Sequence, residues 1–304
     1  MRERVPPWQA EGMASDAAVP RSIPPAPAPA ADAGTAPRNP WALAPALGVA
    51  ASAVLLFGFR QTFGFAAIAG GGAVLAVSVA AALLVGRQLF QDLLLIAIGL
   101  AIVASISVEA NLDYPNMALF GTVLTLSVLV PWLLERRVFH RRTIQFPIRQ
   151  GHRWTTLEKV WLVAAVVLAW LILPNYFINS GAYRNWPSVE APDEIARLFV
   201  GVNVVGIWDE LFFICTVFTL LRRHLPDWHA IPVQAIIFVS FLWELGYREW
   251  GPLLTIPFAI VQAFLFTRTR SLPYVVSVHL LFDLFVFLVL VHAHNPDFLP
   301  IFLY

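Results

Sequence analysis

The sequence predicts an all-α fold, a polytopic transmembrane bundle of about eight to nine spanning helices. Three observations lead there. Of 304 residues, 59% are hydrophobic and only 13% charged, with a mean hydropathy of +0.71, a balance that water-soluble globular domains do not sustain. From Trp41 onward the chain is a succession of apolar runs, most of them long enough to cross a hydrocarbon core of about 30 Å. The connections between the runs alternate between arginine-rich and acidic or neutral, as the positive-inside rule requires of short loops.

The N-terminal stretch 1–40 is rich in Pro and Ala, as in Pro24-Pro25-Ala26-Pro27-Ala28-Pro29-Ala30. It has no apolar period and reads as a disordered cytoplasmic tail. It lacks the apolar core of a signal peptide, and Met13 offers an alternative start. The apolar runs then fall at 41–58, 63–86, 88–108, 117–135, 157–177, 195–221, 230–247, 252–267 and 271–292. Arginines before the first run and after the second, fourth, sixth and eighth place the N-terminus inside and the C-terminus outside.

Residues 41–156 form the first part of the membrane region. Gly70-Gly71-Gly72 and many alanines suit helices that approach closely through small residues. Gln88 and Asp92 stand near a helix end and are expected to reach the interface by snorkelling or to bind headgroups. Between Glu135 and Lys159 lies a basic cytoplasmic loop carrying Arg136, Arg137, Arg141, Arg142, Arg149 and Arg153. It reads as a solvated stop-transfer loop. Because Phe139, Phe146 and Trp154 are interleaved, an interfacial segment on anionic lipid is the alternative.

Residues 157–304 gather polar side chains at depth: Asn203, Asp209, Glu210, Gln234, Glu244, Gln262, His279 and Asp283. The amides fit interhelical hydrogen bonding, worth about 0.6 to 2 kcal/mol in lipid. The acids demand more. Asp209 and Glu210 precede Arg222-Arg223 by about twelve residues, which sets them roughly 18 Å from that basic end and near the midplane. Two carboxylates there need hydration, protonation or a cationic partner, and such combinations concentrate at functional sites. His279 and Asp283, four residues apart, share one helix face. A helix-stabilising ion pair is the competing account of that pair. With His279 roughly 12 Å from its basic helix end, the constellation is expected to open toward the cytoplasm.

Amide hydrolysis needs a base to deprotonate water and donors where the oxyanion develops. Asp209 or Glu244 would be the base and His279 the donor. A divalent metal is a candidate cofactor with a weak ligand set, because a catalytic zinc wants three protein ligands, usually including His. No metal-ligating or cofactor-binding residues are assigned. The single cysteine, Cys215, rules out an internal disulfide and fits a small buried hydrophobe. His292-Ala293-His294-Asn295-Pro296 reads as a polar helix end stopped by Pro296. A net charge of +1 without a basic stripe speaks against nucleic acid as a partner.

Taken in order, the acid pair, Leu220-Leu221-Arg222-Arg223, an apolar helix and His279-x-x-x-Asp283 resemble the CAAX-protease and bacteriocin-processing (CPBP, or Abi) family of intramembrane endopeptidases, over roughly residues 157–292. The family carries Glu-Glu-x-x-x-Arg, then Phe-x-x-x-His, then His-x-x-x-Asn or His-x-x-x-Asp. The resemblance implies that the first acid and first histidine activate water, while the second histidine and the Asn stabilise the oxyanion. Here Asp209 and Glu210 take the acid positions, and His279 with Asp283 takes the last motif. The arginine position falls on Ile214. No histidine stands between His229 and His279, so the middle motif aligns as Phe238-x-x-x-Leu242 or, more loosely, Trp243-x-x-x-Tyr247. Glu244 is the candidate substitute base. The expected protein is an intramembrane endopeptidase of the bacterial inner membrane, with the lipid bilayer and a membrane-bound peptide or protein substrate as partners. A catalytically inactive binding or scaffold subunit on the same fold is the alternative. A proton- or ion-coupled transporter would also use buried acids, but the polar residues show no inverted repeat.

Overall fold

A computed structural model describes residues 39–148, 153–297, 301, 302 and 304. The expected tail up to residue 38, with Met13, lies outside the described residues, as does Arg149. Nine described helices are long and apolar enough to span: α1 Pro40–Gly58, α2 Phe65–Val85, α3 Arg87–Ala104, α4 Tyr114–Arg137, α5 Thr156–Asn179, α6 Pro192–Leu221, α7 Asp227–Leu245, α8 Gly251–Thr269 and α9 Leu272–His294. Among the described residues there is no strand. This is an integral, multi-pass, all-α membrane protein. Its outer surface carries large apolar side chains, such as Phe65 at 82% and Leu84 at 91% exposure, a cost in water that lipid removes.

Helix ends follow local chemistry. At α5, the Thr155 hydroxyl accepts from the Glu158 backbone N–H at 3.2 Å and the Glu158 carboxylate accepts from the Thr155 N–H at 2.6 Å, a reciprocal capping box. Pro192 opens α6, and Glu194 accepts from the N–H groups of Glu190 and Ala191 at 3.0 and 3.1 Å. That start lies before the apolar run because a first turn favours Pro and acids over hydrophobes. The Ser271 hydroxyl caps α9 by accepting from the Tyr274 N–H at 3.1 Å. At its far end α3 stops at Ala104, short of the apolar run, and releases residues 105–113 as a connection.

The most enclosed helix is α6, with 78% of its most apolar stretch buried against 28% for α2. It is α-helical to Asp209 and widens to π geometry over Glu210–Phe218. Thr216 and Thr219 hydroxyls donate to the carbonyls five residues back, Leu211 at 2.9 Å and Ile214 at 3.1 Å. π segments of this kind recur at functional sites. Here one begins at the acid pair. Behind the acids, Trp208 stacks on Phe212 with centroids 5.2 Å apart and donates from its indole to Ser127 Oγ at 3.1 Å. Cys215 is fully buried and unpaired, in keeping with a small hydrophobe.

On the arginine-rich side two sequence readings change. Asp92 does not snorkel. It is fully buried, with Arg141 at 2.6 Å, Arg223 at 2.6 Å and His224 at 2.7 Å, because a charge without water needs close partners. The loop after α4 is neither purely solvated nor laid flat. Buried Glu135 accepts from the Thr143 and Ile144 N–H groups, both at 2.8 Å, and Phe139, Phe146 and Trp154 pack on the core. At the end of the chain, α9 closes at His294, and Asn295 donates to the Val189 carbonyl at 2.7 Å.

Candidate active site

Imidazole and acids meet where α6, α8 and α9 come together. His279 on α9 places Nδ1 2.7 Å from Glu210 Oε1 on α6. That same carboxylate oxygen accepts from Gln262 Nε2 on α8 at 2.6 Å, and Gln262 also donates to the Val275 carbonyl at 3.0 Å. The other ring nitrogen, Nε2, faces Asp209 Oδ2 at 3.7 Å and Asp283 Oδ1 at 3.8 Å. These two separations are charge contacts, too long for hydrogen bonds. The ring is further held by the edge of Phe258, 4.9 Å between centroids, with Phe238 at 6.2 Å.

Burial makes this group expensive unless it is mutually compensated. Asp209 is 2% exposed, Glu210 0%, His279 5% and Asp283 5%. One oxygen of each carboxylate, Asp209 Oδ1, Glu210 Oε2 and Asp283 Oδ2, has no hydrogen bond among the described residues. So the imidazole is anchored on one side by Glu210, while its other side shares space with two acids that retain free acceptor capacity. Gly206 makes room for this: a methyl group there would overlap Asp283. The arrangement can bind an amide, hold a water and move protons between oxygen, nitrogen and carboxylate.

Asp209, His279 and Asp283 line a cavity of about 210 Å³, together with Leu242, Tyr247, Thr255 and Phe258. The cavity does not open toward the arginine-rich helix ends from which the depth of His279 was counted. It runs away from the arginine-rich helix ends, along the Glu109–Leu112 connection, Trp186 and Tyr247, and its flank on α6 includes Val200 and Val204, exposed at 51% and 48%. Depth counted from one basic helix end could not show which way the polar group faced.

Glu244 stands apart from the other four residues. Its Oε1 accepts from the Val108 N–H at 3.2 Å and lies 3.5 Å from Arg60 Nε. Arg60 also donates to the carbonyls of Ala104 and Ile106, at 2.9 and 2.5 Å. Glu244 and Arg60 thus latch the 105–113 connection that borders the cavity. Among the described residues no group of three or more His, Cys, Asp and Glu is arranged to hold a metal ion. Sequence reasoning took Gln262 as an interhelical donor, which it is, without tying it to Glu210. Tyr247 surfaced only through the looser motif alignment, and nothing in the sequence marked Gly206.

Acids on α6 and an imidazole–carboxylate pair on α9, with α7 and α8 between them in the chain, form one buried cluster. Residues 191–285 match the family model described as type II CAAX prenyl endopeptidase Rce1-like. The match begins one residue before α6 and ends two residues after Asp283, so the Rce1-like segment holds all four clustered residues. It falls within the region of the CPBP resemblance. Comparisons with curated proteins and with solved structures give no match. Within the Rce1-like segment, Ile214 is fully buried, and Leu242 and Tyr247, the two residues that the alternative alignments of the middle motif bring to its histidine position, both line the cavity.

Proposed function

We propose that this protein is an intramembrane endopeptidase that hydrolyses a peptide bond of a membrane-associated substrate. The observation that carries the reading is His279 of α9, set between the acids of α6 inside a cavity. The match to an Rce1-like endopeptidase family over that segment supports it.

In this reading Asp209 accepts a proton from water as the water oxygen bonds to the carbonyl carbon. The carbon–nitrogen bond then breaks, and the proton passes to the leaving amine. Glu210, steadied by Gln262, fixes the imidazole through Nδ1, which leaves Nε2 to face the carbonyl oxygen. Asp283 completes the charge balance around the ring. Glu244 has no part in these steps. The protein resides in a bacterial inner membrane with its N-terminus in the cytoplasm, and the cavity then admits substrate from the opposite side.

The test uses the full chain in proteoliposomes and a farnesylated CAAX peptide with a fluorophore and quencher across the scissile bond. Asp209→Asn and His279→Ala should each lower kcat by about 10²-fold or more. Cleavage by both variants at the unaltered rate would refute the reading. A second reading, a catalytically silent binding subunit, draws on Ile214 standing at the arginine position and Leu242 or Tyr247 at the histidine position. It expects the peptide to bind and remain intact.

A further inference from the structure

Negative charge develops on the carbonyl oxygen during hydrolysis, and donors already aimed at it supply the largest stabilisation. His279 offers only Nε2, since Nδ1 is committed to Glu210. The other donors around the cavity are mostly spent or displaced. The Thr255 hydroxyl donates to the Gly251 carbonyl at 3.0 Å. Trp186 Nε1 makes no hydrogen bond among the described residues, but it faces the Gly246 α-carbon, 2.8 Å from where a Cβ would stand. Asn111 sits exposed on the rim. Tyr247 lines the cavity with Asp209, His279 and Asp283, and its hydroxyl makes no hydrogen bond among the described residues.

Its ring is held on three sides. Tyr176 lies parallel at 6.3 Å between centroids, and Phe177 and Trp186 meet it edge-on at 5.7 and 5.6 Å. The turn that carries it is equally constrained. Gly246 has φ of 142°, where a side chain is strained, and a Cβ there would come within 2.8 Å of Trp186 Nε1. The Tyr247 N–H closes the turn on the Leu242 carbonyl at 2.9 Å. A phenol with two ring torsions and three aromatic walls loses little freedom on meeting a substrate.

We propose that Tyr247 is a catalytic residue, its hydroxyl donating a hydrogen bond to the substrate carbonyl oxygen as that oxygen becomes an oxyanion. This rests on the hydrolysis reading above and deepens it. Tyr247 lies in the turn between α7 and α8, outside the spanning segments. Burial, and then the charges of Asp283, Tyr176 and Asp209, hold its phenol well above the usual value of 10.0, so it keeps the proton that a donor needs. No bond to Tyr247 forms or breaks, and the hydrolytic proton still travels from water to the leaving amine.

Full-length wild type, Tyr247→Phe, Tyr247→His and Asp209→Asn are compared in proteoliposomes with the farnesylated CAAX peptide and with a phosphinic peptide that mimics the tetrahedral oxyanion. Tyr247→Phe should lower kcat by about 10²- to 10³-fold while KM moves less than about two-fold. Its affinity for the phosphinic peptide should fall in parallel, and Tyr247→His should recover part of both. Tyr247→Phe with unchanged kcat and phosphinic affinity overturns the proposal, and with Asp209→Asn inactive it overturns this proposal alone. If Asp209→Asn is also fully active, or if wild type neither cleaves the peptide nor binds the phosphinate, the hydrolysis reading falls and takes this one with it. Should Tyr247→Phe melt below wild type, Tyr247→His at wild-type stability decides by the same two readouts.

Discussion

The α-carbon of Gly206 on α6 lies directly against the carboxylate of Asp283 on α9. A methyl group built there would overlap Oδ2, approach Cγ to 3.0 Å and reach His279 Cδ2 at 3.2 Å. The two helices therefore touch through a residue with no side chain, and the polar cluster occupies the space this leaves. Small residues let membrane helices approach closely. In this protein the approach sets the position of a carboxylate.

Gly206→Ala should consequently damage catalysis without altering any charge. Displacing Asp283 and the imidazole by a fraction of a bond length to one ångström is expected to lower kcat by about 10²-fold. Helix content should be preserved, since Ala is the better helix former by about 1 kcal/mol. Circular dichroism with steady-state cleavage of the CAAX peptide checks this. Wild-type kcat in Gly206→Ala would show that Asp283 does not need its present place.

Glu244 separates a latch from a base. Glu244→Gln keeps an acceptor for the Val108 N–H and should retain most of the hydrolytic rate. Glu244→Ala strands that buried N–H and removes the counter-charge of Arg60, and should destabilise the fold by on the order of 2 kcal/mol. Thermal unfolding in detergent, read beside the cleavage rate, distinguishes the two roles. A Glu244→Gln protein that is stable yet inactive would return Glu244 to the chemistry.

Asp92 is the anion that three cationic or ionisable side chains share. Asp92→Ala leaves Arg141, Arg223 and His224 turned toward one another without a counter-charge, a loss of about 3 kcal/mol for a partly buried cluster. Asp92→Asn, which still accepts hydrogen bonds, should lose less. Equilibrium unfolding of the two variants gives the comparison, and equal stability of Asp92→Ala and wild type would contradict the buried-pair account.

The extent of the spanning helices was legible because hydrocarbon thickness acts on each segment separately: a run of apolar residues long enough to cross declares itself without reference to any other. The ends were less legible. α6 begins at Pro192 through capping and dipole chemistry that hydropathy does not register. His279 and Asp283 could be placed on one face because a four-residue step is a property of one helix. That Asp209 and Glu210 stand well inside an apolar helix followed from counting residues to an arginine.

Which helices face each other is another matter. It depends on side-chain packing between segments far apart in the chain, and no local period encodes it. The family resemblance already implied the acid pair and His279 in one site. The tertiary structure gave that expectation its contact, Glu210 on His279 Nδ1, brought Gln262 onto the same oxygen, and carried Arg223 to Asp92 across 131 residues of sequence. It also took Glu244 to Arg60, drew Tyr247 into the cavity and turned that cavity away from the basic ends. The sequence by itself determined an all-α membrane bundle with acids and an imidazole at depth. The packing of α6, α8 and α9 decided which of those groups share a chamber, because a charge in a low-dielectric interior is tolerated only where another helix brings its partner.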